Sequence, residues 1–349
     1  MREFSEFKII NHIDRIQAVL RGELPPPVTL EMDPTNSCNH NCVWCIDYHH
    51  REENRGVFLP RDVALKIISD AKEMGVRSLV IKGGGEPLVY PYIADLLRHA
   101  KKIGLDVGII TNGERVIDFR DVILETCSWL RISLDAGSAE THRMTHRPVN
   151  PNAFAKIQEG INAVAKDLYT GIIYIIHPST FHEMAIAAKR AKEAGCRYIA
   201  FKRVVATEEM FDTELYMSID ANYLFARRQY EDENFTVMGF RIYNFSKGIH
   251  AKPYELCLGH HLVGILGADG GLYACCSTRG NKQYCFGSIY EKSLPELWHG
   301  KERRQILRKI TAGHCKRICV GHTSYMRYDH YNDLFAYLAN PEKPHGNFL

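Results

Sequence analysis

The chain has 349 residues, 44 of them basic and 41 acidic, giving a formal charge of +3. That length can bury a large core, and so even a balance, with no block of Lys or Arg, argues against a nucleic-acid or anionic-membrane surface. No apolar run is long enough to cross a bilayer, and the opening MREFSEFKII mixes charges without an apolar signal core, so a cytoplasmic protein is expected. Eleven cysteines are then many for a reducing compartment, where thiols serve metals or catalysis rather than disulfides.

In chain order, FKIINHIDRIQAVLRGE has the spacing of an amphipathic helix and stops at Gly22 and a run of prolines. VTLEMD is a buried strand that runs directly into DPTNSCNHNCVWC. An alternation follows. Helix RDVALKIISDAKEMG precedes strand VRSLVIKG, helix YIADLLRHAKKIG precedes LDVGIITNG, and FRDVILETC precedes WLRISLDAG. NAFAKIQEGINAVAKD then leads to TGIIYIIHP, and FHEMAIAAKRAKEAG to CRYIAFKRV. About six β/α units indicate a parallel α/β fold. Because a closed eightfold barrel needs about 250 residues, a partial (β/α)6 TIM-type barrel over 28–205 is expected, preceded by an N-terminal helix segment, 1–27. Residues 206–250 are expected to link domains or cover the site. A second, smaller domain of short strands and turns is expected over 251–325, with an aromatic tail over 326–349.

Chemistry in such folds sits at the C-terminal ends of the strands. There the sequence places Cys38, Cys42 and Cys45 after the first strand, GGGEP after the second, TNG after the third and SLD in the fourth. His177 ends the fifth, and Lys202 and Arg203 end the sixth. The spacing C-x3-C-x2-C can hold three corners of an iron–sulfur cubane and leave one iron open. Zinc, with His40, His49 or His50 as a fourth ligand, is the alternative that the loop alone allows.

The cysteine loop directly after a first barrel strand, together with GGGEP after the second, resembles the radical S-adenosylmethionine (SAM) superfamily. The resemblance covers residues 28 to 325. It implies that Cys38, Cys42 and Cys45 ligate a [4Fe–4S] cluster whose open iron binds SAM, reductively cleaved to a 5′-deoxyadenosyl radical. It also implies SAM contacts from Trp44, from Gly84, Gly85 and Glu86, from Thr111 and Asn112, from Ser133 and from His177. Further on, the spacing of Cys257 and Cys275 around ADGGLYACC, followed by FGSIYEKSLPELW and by C-K-R-I-C, resembles the auxiliary-cluster extension called SPASM or, in its short form, twitch. That resemblance implies a second [4Fe–4S] cluster on Cys257, Cys275, Cys315 and Cys319, with Cys276 a rival for Cys275 and Cys285 unassigned. Zinc again is the alternative for this set. Cys127 and Cys196 precede strands at the remote end and are expected to be buried, structural thiols.

One auxiliary cluster implies an electron acceptor beside the substrate. The expected function is therefore an oxidoreductase of natural-product type that turns an alcohol of a sugar, cyclitol or nucleoside into a ketone, with a flavodoxin- or ferredoxin-type reductant. Lys202 and Arg203 are the candidates for orienting or deprotonating that alcohol. Strand alternation lets one of the two face inward, and Lys is chemically the easier base. The other enzyme readings are epimerisation or decarboxylation of a sugar-type substrate, or modification of a ribosomal peptide. A non-catalytic electron carrier is the reading from a different class.

Overall fold

The computed structural model describes residues 6–204, 213–240, 254, 256–310 and 327–339. Before the first strand lies α1 (Ile13–Leu20). The barrel strands are β1 (Thr29–Met32), β2 (Ser78–Ile81), β3 (Asp106–Thr111), β4 (Trp129–Ser133), β5 (Tyr169–Ile176), β6 (Tyr198–Arg203) and β7 (Thr236–Phe240). Between them run α2 (Tyr48–Glu53), α3 (Arg61–Met74), α4 (Ile93–Lys102), α5 (Arg120–Thr126), α6 (Ala139–His146), α7 (Ala153–Val164), α8 (Met184–Glu193) and α9 (Thr213–Tyr230). The C-terminal part adds β8 (Val263–Leu266), β9 (Gly271–Tyr273), β10 (Cys285–Ser288), α10 (Leu294–His299), α11 (Lys301–Leu307) and α12 (Arg327–Ala339).

All ten strands form one sheet in the order β10-β9-β8-β1-β2-β3-β4-β5-β6-β7. Strands β1 to β7 pair in parallel with their sequence neighbours, and β8 pairs in parallel with the free side of β1. The parallel array is therefore eight strands wide, two more than the repeat counted in the sequence suggests. One of the additions, β7 with α9 before it, comes from the segment expected to be a linker. It is a short strand whose Gly239 lets the Tyr223 ring of α9 approach closely, so its apolar pattern is weak. The other, β8, belongs to the second domain, which thus extends the barrel wall.

Strand alternation sorts the side chains between two faces. Leu30, Met32, Leu79, Ile81, Ile109, Ile132, Tyr174 and Phe201 pack in one continuous core with residues of the surrounding helices such as Ile68, Leu97, Ile157 and Ile219. Each is buried, and each contributes roughly 1.5–3 kcal/mol by leaving water. The opposite parity lines the concave face. There Arg131 donates from Nε to the Tyr198 hydroxyl at 3.1 Å, and its guanidinium lies 5.4 Å from the Trp129 ring. The bare Gly171 makes room for the Tyr198 ring. Together these residues fill the end of the barrel remote from the cysteine loop. Cys127 and Cys196 are buried with the helix-side core, where burial pushes both thiols up to about 12. The two ends of the chain meet in a second core, where Phe335 of α12 packs with Ile9, Ile16 and Leu262.

Candidate active site

The cysteine loop is held on three sides. The Asn36 N–H donates to the Val57 carbonyl at 2.9 Å, and the Leu59 N–H to the Pro34 carbonyl at 3.0 Å. Opposite, the loop lies antiparallel to the end of α6: Asn41 N–H reaches the His146 carbonyl at 3.0 Å and Val43 N–H the Thr145 carbonyl at 2.9 Å. From α2, buried Arg51 donates to the His40 carbonyl at 3.2 Å and to Asn41 Oδ1 at 3.1 Å. The His40 N–H points to Cys38 Sγ at 3.5 Å. Burial pushes the Cys38 thiol up to about 12, so a thiolate at that place needs the charge of a bound cation. Three cysteines on one braced loop fit an iron–sulfur cluster.

GGGEP comes within contact of this loop. The Gly85 N–H donates to the Thr35 carbonyl at 3.0 Å, and the Glu86 N–H to the Ser37 carbonyl at 2.8 Å. A Cβ on Gly84 would lie 2.5 Å from Asn36 Oδ1, and one on Gly85 2.0 Å from the Ser37 carbonyl oxygen. The glycines are thus required for the strip to lie along the cysteine loop. Glu86 is held firmly by its neighbours. Its carboxylate already accepts the Thr111 hydroxyl at 2.5 Å, the Asn112 N–H at 2.7 Å and the Leu88 N–H at 3.0 Å. Thr111 is turned inward by that bond. Asn112 donates from its amide to Asn39 Oδ1 at 2.8 Å and accepts the Glu114 N–H at 3.1 Å. All three brace the β2 and β3 ends against each other and against the cysteine loop.

Trp44 donates its indole N–H to Asp135 Oδ2 at 3.0 Å and lies 5.3 Å, at 34°, from the His177 ring. The Ser179 N–H donates to His177 Nδ1 at 3.1 Å, and burial lowers the ring's proton affinity, so a neutral His177 carries its proton on Nε2. Ser133 sits at the end of β4 on the concave face, opposite Ile173 of β5. Asp135, a residue that the sequence reading passed over, has a positive φ of 52°. Its other oxygen accepts the Ile175 N–H at 2.7 Å, and Oδ2 also faces His146 Nε2 at 3.2 Å. His146 in turn presents Nδ1 to Cys42 Sγ at 3.5 Å. Burial alone would push the Cys42 thiol up and the His146 ring down. Their mutual attraction, helped by His40 at the thiol and by Asp135 at the ring, outweighs it, so the thiol is held below its ordinary range and the ring above.

Lys202 and Arg203 divide by strand parity. Lys202 has the parity of Tyr198 and Ala200, which pack with Ile173 on the concave face. Arg203 has the parity of Phe201, and its guanidinium lies 6.0 Å from the Tyr216 ring of α9. Of the expected pair, Lys202 alone is therefore on the active-site face. The concave face carries further charge that the sequence reading did not single out. Lys82 Nζ lies 2.6 Å from Glu31 Oε2, and Arg279 bridges Asp33 at 2.6 Å and Asp47 at 2.5 Å. Burial would lower the Lys82 ammonium, but Glu31, helped by Cys276 and Asp33, outweighs it and keeps the group charged.

Arg279 belongs to the second domain, so this bridge fastens that domain to both ends of the cysteine loop. Nearby, Cys275 Sγ and Cys276 Sγ are 4.0 Å apart, and both, with Cys285, pack against one apolar cluster. Cys276 is the one that lies within electrostatic reach of Lys82 and Arg279. Cys257 Sγ accepts the amide of Asn332 on α12 at 3.3 Å, and Asn332 Oδ1 accepts the Leu258 and Gly259 N–H groups at 2.5 and 2.8 Å. Cys315 and Cys319 lie outside the described residues. Cys275, Cys276 and Cys285 come from two segments and pack on one apolar cluster, and thiols gathered in this way suit a polynuclear cluster.

Comparison with known proteins agrees with this geometry. The Radical SAM superfamily model matches residues 32–199, and the SPASM iron–sulfur cluster-binding domain matches 257–320. The chain carries a radical SAM domain followed by a SPASM domain. It is built to hold a [4Fe–4S] cluster with SAM and an auxiliary iron–sulfur centre. Over 90 residues it is 36% identical to the tungsten-containing aldehyde ferredoxin oxidoreductase cofactor-modifying protein of Pyrococcus furiosus, covering 26% of this chain and 25% of that one. Over 121 residues it is 26% identical to an S-adenosylmethionine-dependent nucleotide dehydratase of Flammeovirga pacifica, 32% of this chain and 40% of that one. The chain thus spans well under half of the length of these relatives. In fold it is similar to Streptococcus suis SuiB bound to S-adenosylmethionine, with a TM-score of 0.64 at 16% identity over 88% of this chain and 75% of that one. No helix among the described residues is long and apolar enough to cross a membrane.

Proposed function

We propose that the protein oxidises an alcohol carbon of a hydroxylated small molecule, a sugar, cyclitol or nucleoside, to a ketone. When bound, SAM with the first cluster supplies the radical that removes one hydrogen atom, and the auxiliary cluster supplies an acceptor for the one remaining electron. What is left for the protein is the hydroxyl proton and the orientation of the substrate. The observation that carries the reading is the charged lining of the concave face, Glu31 with Lys82 and Asp33 with Arg279, set between the cysteine loop and Cys276. Buried charges of this kind match the dense hydroxyls of a polyol better than an extended peptide.

The lysines differ in aptitude. Lys82 is held protonated by Glu31, so it donates a hydrogen bond and positions. Lys202, on the concave side of the β6 end, is assigned the proton. Arg203 is assigned no contact with substrate. The Trp129–Arg131–Tyr198 layer closes the far end of the barrel to water. The likeness to a nucleotide dehydratase supports a small hydroxylated substrate.

The test is anaerobic incubation of reconstituted protein with SAM, a flavodoxin-type reductant and a panel of sugars, cyclitols and nucleosides. A product lighter by two hydrogens, formed with 5′-deoxyadenosine, is expected. Lys202→Met should slow turnover by roughly 10²–10⁴-fold, as removal of a general base does, while Arg203→Met leaves it nearly unchanged. A product of unchanged mass would mean epimerisation, and loss of CO2 would mean decarboxylation. The structural neighbour SuiB has also been solved with a precursor peptide, so peptide modification is the reading to adopt if peptides alone are consumed.

A further inference from the structure

Behind Cys42 lie three buried imidazoles, His40, His142 and His146, with one ring nitrogen of each within 4.8 Å of the other two. The bonding around them is unequal. His40 Nε2 is 2.8 Å from Glu114 Oε2, an oxygen that also accepts the Asn39 amide at 2.9 Å, while Asn150 donates to Oε1 at 3.0 Å. His146 Nε2 faces Asp135 Oδ2 at 3.2 Å, and Asp135 already accepts from Trp44 and from the Ile175 N–H. A carboxylate surrounded by donors has no proton to give, so Nε2 of each ring carries a hydrogen. The opposite edge of His146, Nδ1, meets Cys42 Sγ at 3.5 Å. A thiolate that ligates iron only accepts. His146 Nδ1 is therefore the donor to the sulfur, in a ring held between a carboxylate and a thiolate.

We propose that Asp135 and His146 form a buried hydrogen-bond relay to the Cys42 sulfur, and that this relay holds the SAM-binding cluster at a less negative reduction potential than its three thiolates alone would. Hydrogen bonds to cluster sulfur are among the levers that set such potentials, because a donor takes up part of the charge that reduction adds. The relay also explains the placing of Asp135. The same carboxylate fixes Trp44 and, through the Ile175 N–H, the end of β5, so that electron entry and the wall of the site share one anchor. His142 stacks on His146 at 4.6 Å and 19° and packs edge-on to His40 at 5.4 Å. It keeps the ring from rotating away from the sulfur. The cluster of rings invites a second reading as a separate metal site. Against it, both nitrogens of His146 are engaged, one by Asp135 and one by Cys42.

His146 is a positioning and tuning residue, so its test reads the potential itself. The full-length, anaerobically reconstituted protein is titrated potentiometrically and followed by electron paramagnetic resonance, and the first cluster is recognised as the signal that changes when SAM is added. His146→Phe should shift its midpoint to more negative potential. His146→Gln, which keeps an N–H donor, should fall between it and the parent. Iron content and the SAM-insensitive signal should not move. An unchanged midpoint in His146→Phe with the cluster fully assembled overturns the proposal. So does a stoichiometric non-iron metal in the parent that is lost in both His146→Phe and His142→Phe. Should the variants not assemble the cluster, electron–nuclear double resonance of the parent labelled with 15N-histidine decides instead. A histidine coupling on the SAM-responsive signal supports the relay, and its absence refutes it.

Discussion

Glu86 ties two strand ends together through one carboxylate. Its two oxygens receive three donors from the β2 and β3 ends, so Glu86→Ala strands two buried N–H groups and a hydroxyl, each costing about 1–3 kcal/mol. The expected result is a fall in thermal stability and in SAM affinity together, measured by calorimetry with and without SAM. Glu86→Gln, still an acceptor, should retain most of both. The buried histidines of the second domain give a separate, pH-dependent expectation. Burial, with Arg303 nearby, lowers His260 to about 3, and it packs edge-on against His261, which is itself lowered. Unfolded, His260 binds a proton near pH 6.5, and folded it does not, so stability falls as the pH drops below 6.5. Between pH 6.5 and 5 the loss should be about 2 kcal/mol for this group. His260→Phe should flatten that slope in denaturant titrations. Residues of this kind were largely illegible beforehand. Cys38, Cys42, Cys45 and the GGGEP glycines announce themselves by spacing, because a cluster and a close backbone approach dictate sequence locally. Asp135, His146, Glu114 and Arg279 meet their partners across 11 to 246 residues of chain (146 − 135 and 279 − 33), and no local pattern marks a long-range contact.

At the scale of elements, the β/α alternation was readable wherever a strand and its helix each carry a full apolar pattern, as β2 with α4 or β5 with α8 do. It failed at β7 and β8. The first is short and interrupted by Gly239, and the second sits among glycines and turns, so neither shows that its place is in the parallel wall. The parity of β6 was likewise stated as a choice between Lys202 and Arg203, and it needed Tyr216 of α9 to settle it. Two contacts between elements are testable. Arg279 is a buried cation on two carboxylates. Arg279→Met should cost about 3–5 kcal/mol, as removal of one partner from a buried ion pair does, and should open the loop around 279 to limited proteolysis. Adding Asp33→Asn and Asp47→Asn should recover part of the loss. Asn332 is the corresponding tie of α12. Asn332→Leu frees two N–H groups and the Cys257 sulfur. It should lower iron by roughly four atoms per chain while leaving the SAM-responsive signal intact.

For the molecule as a whole, the two metal-binding regions share one sheet instead of sitting in tethered modules. Thr29 of β1 pairs with Val263 of β8, and Arg279 closes on Asp33 and Asp47 just beyond that seam. The spacing of the two regions is thereby built into the backbone. The two strands of the seam are 234 positions apart (263 − 29). A ribosome has long since released the first before it makes the second. Until then β1 presents bare N–H and C=O groups along one side, the condition under which nascent sheets stick to each other. Synthesis stopped near residue 250 should therefore yield inclusion bodies, and supplying the remaining segment in trans should return material to the supernatant.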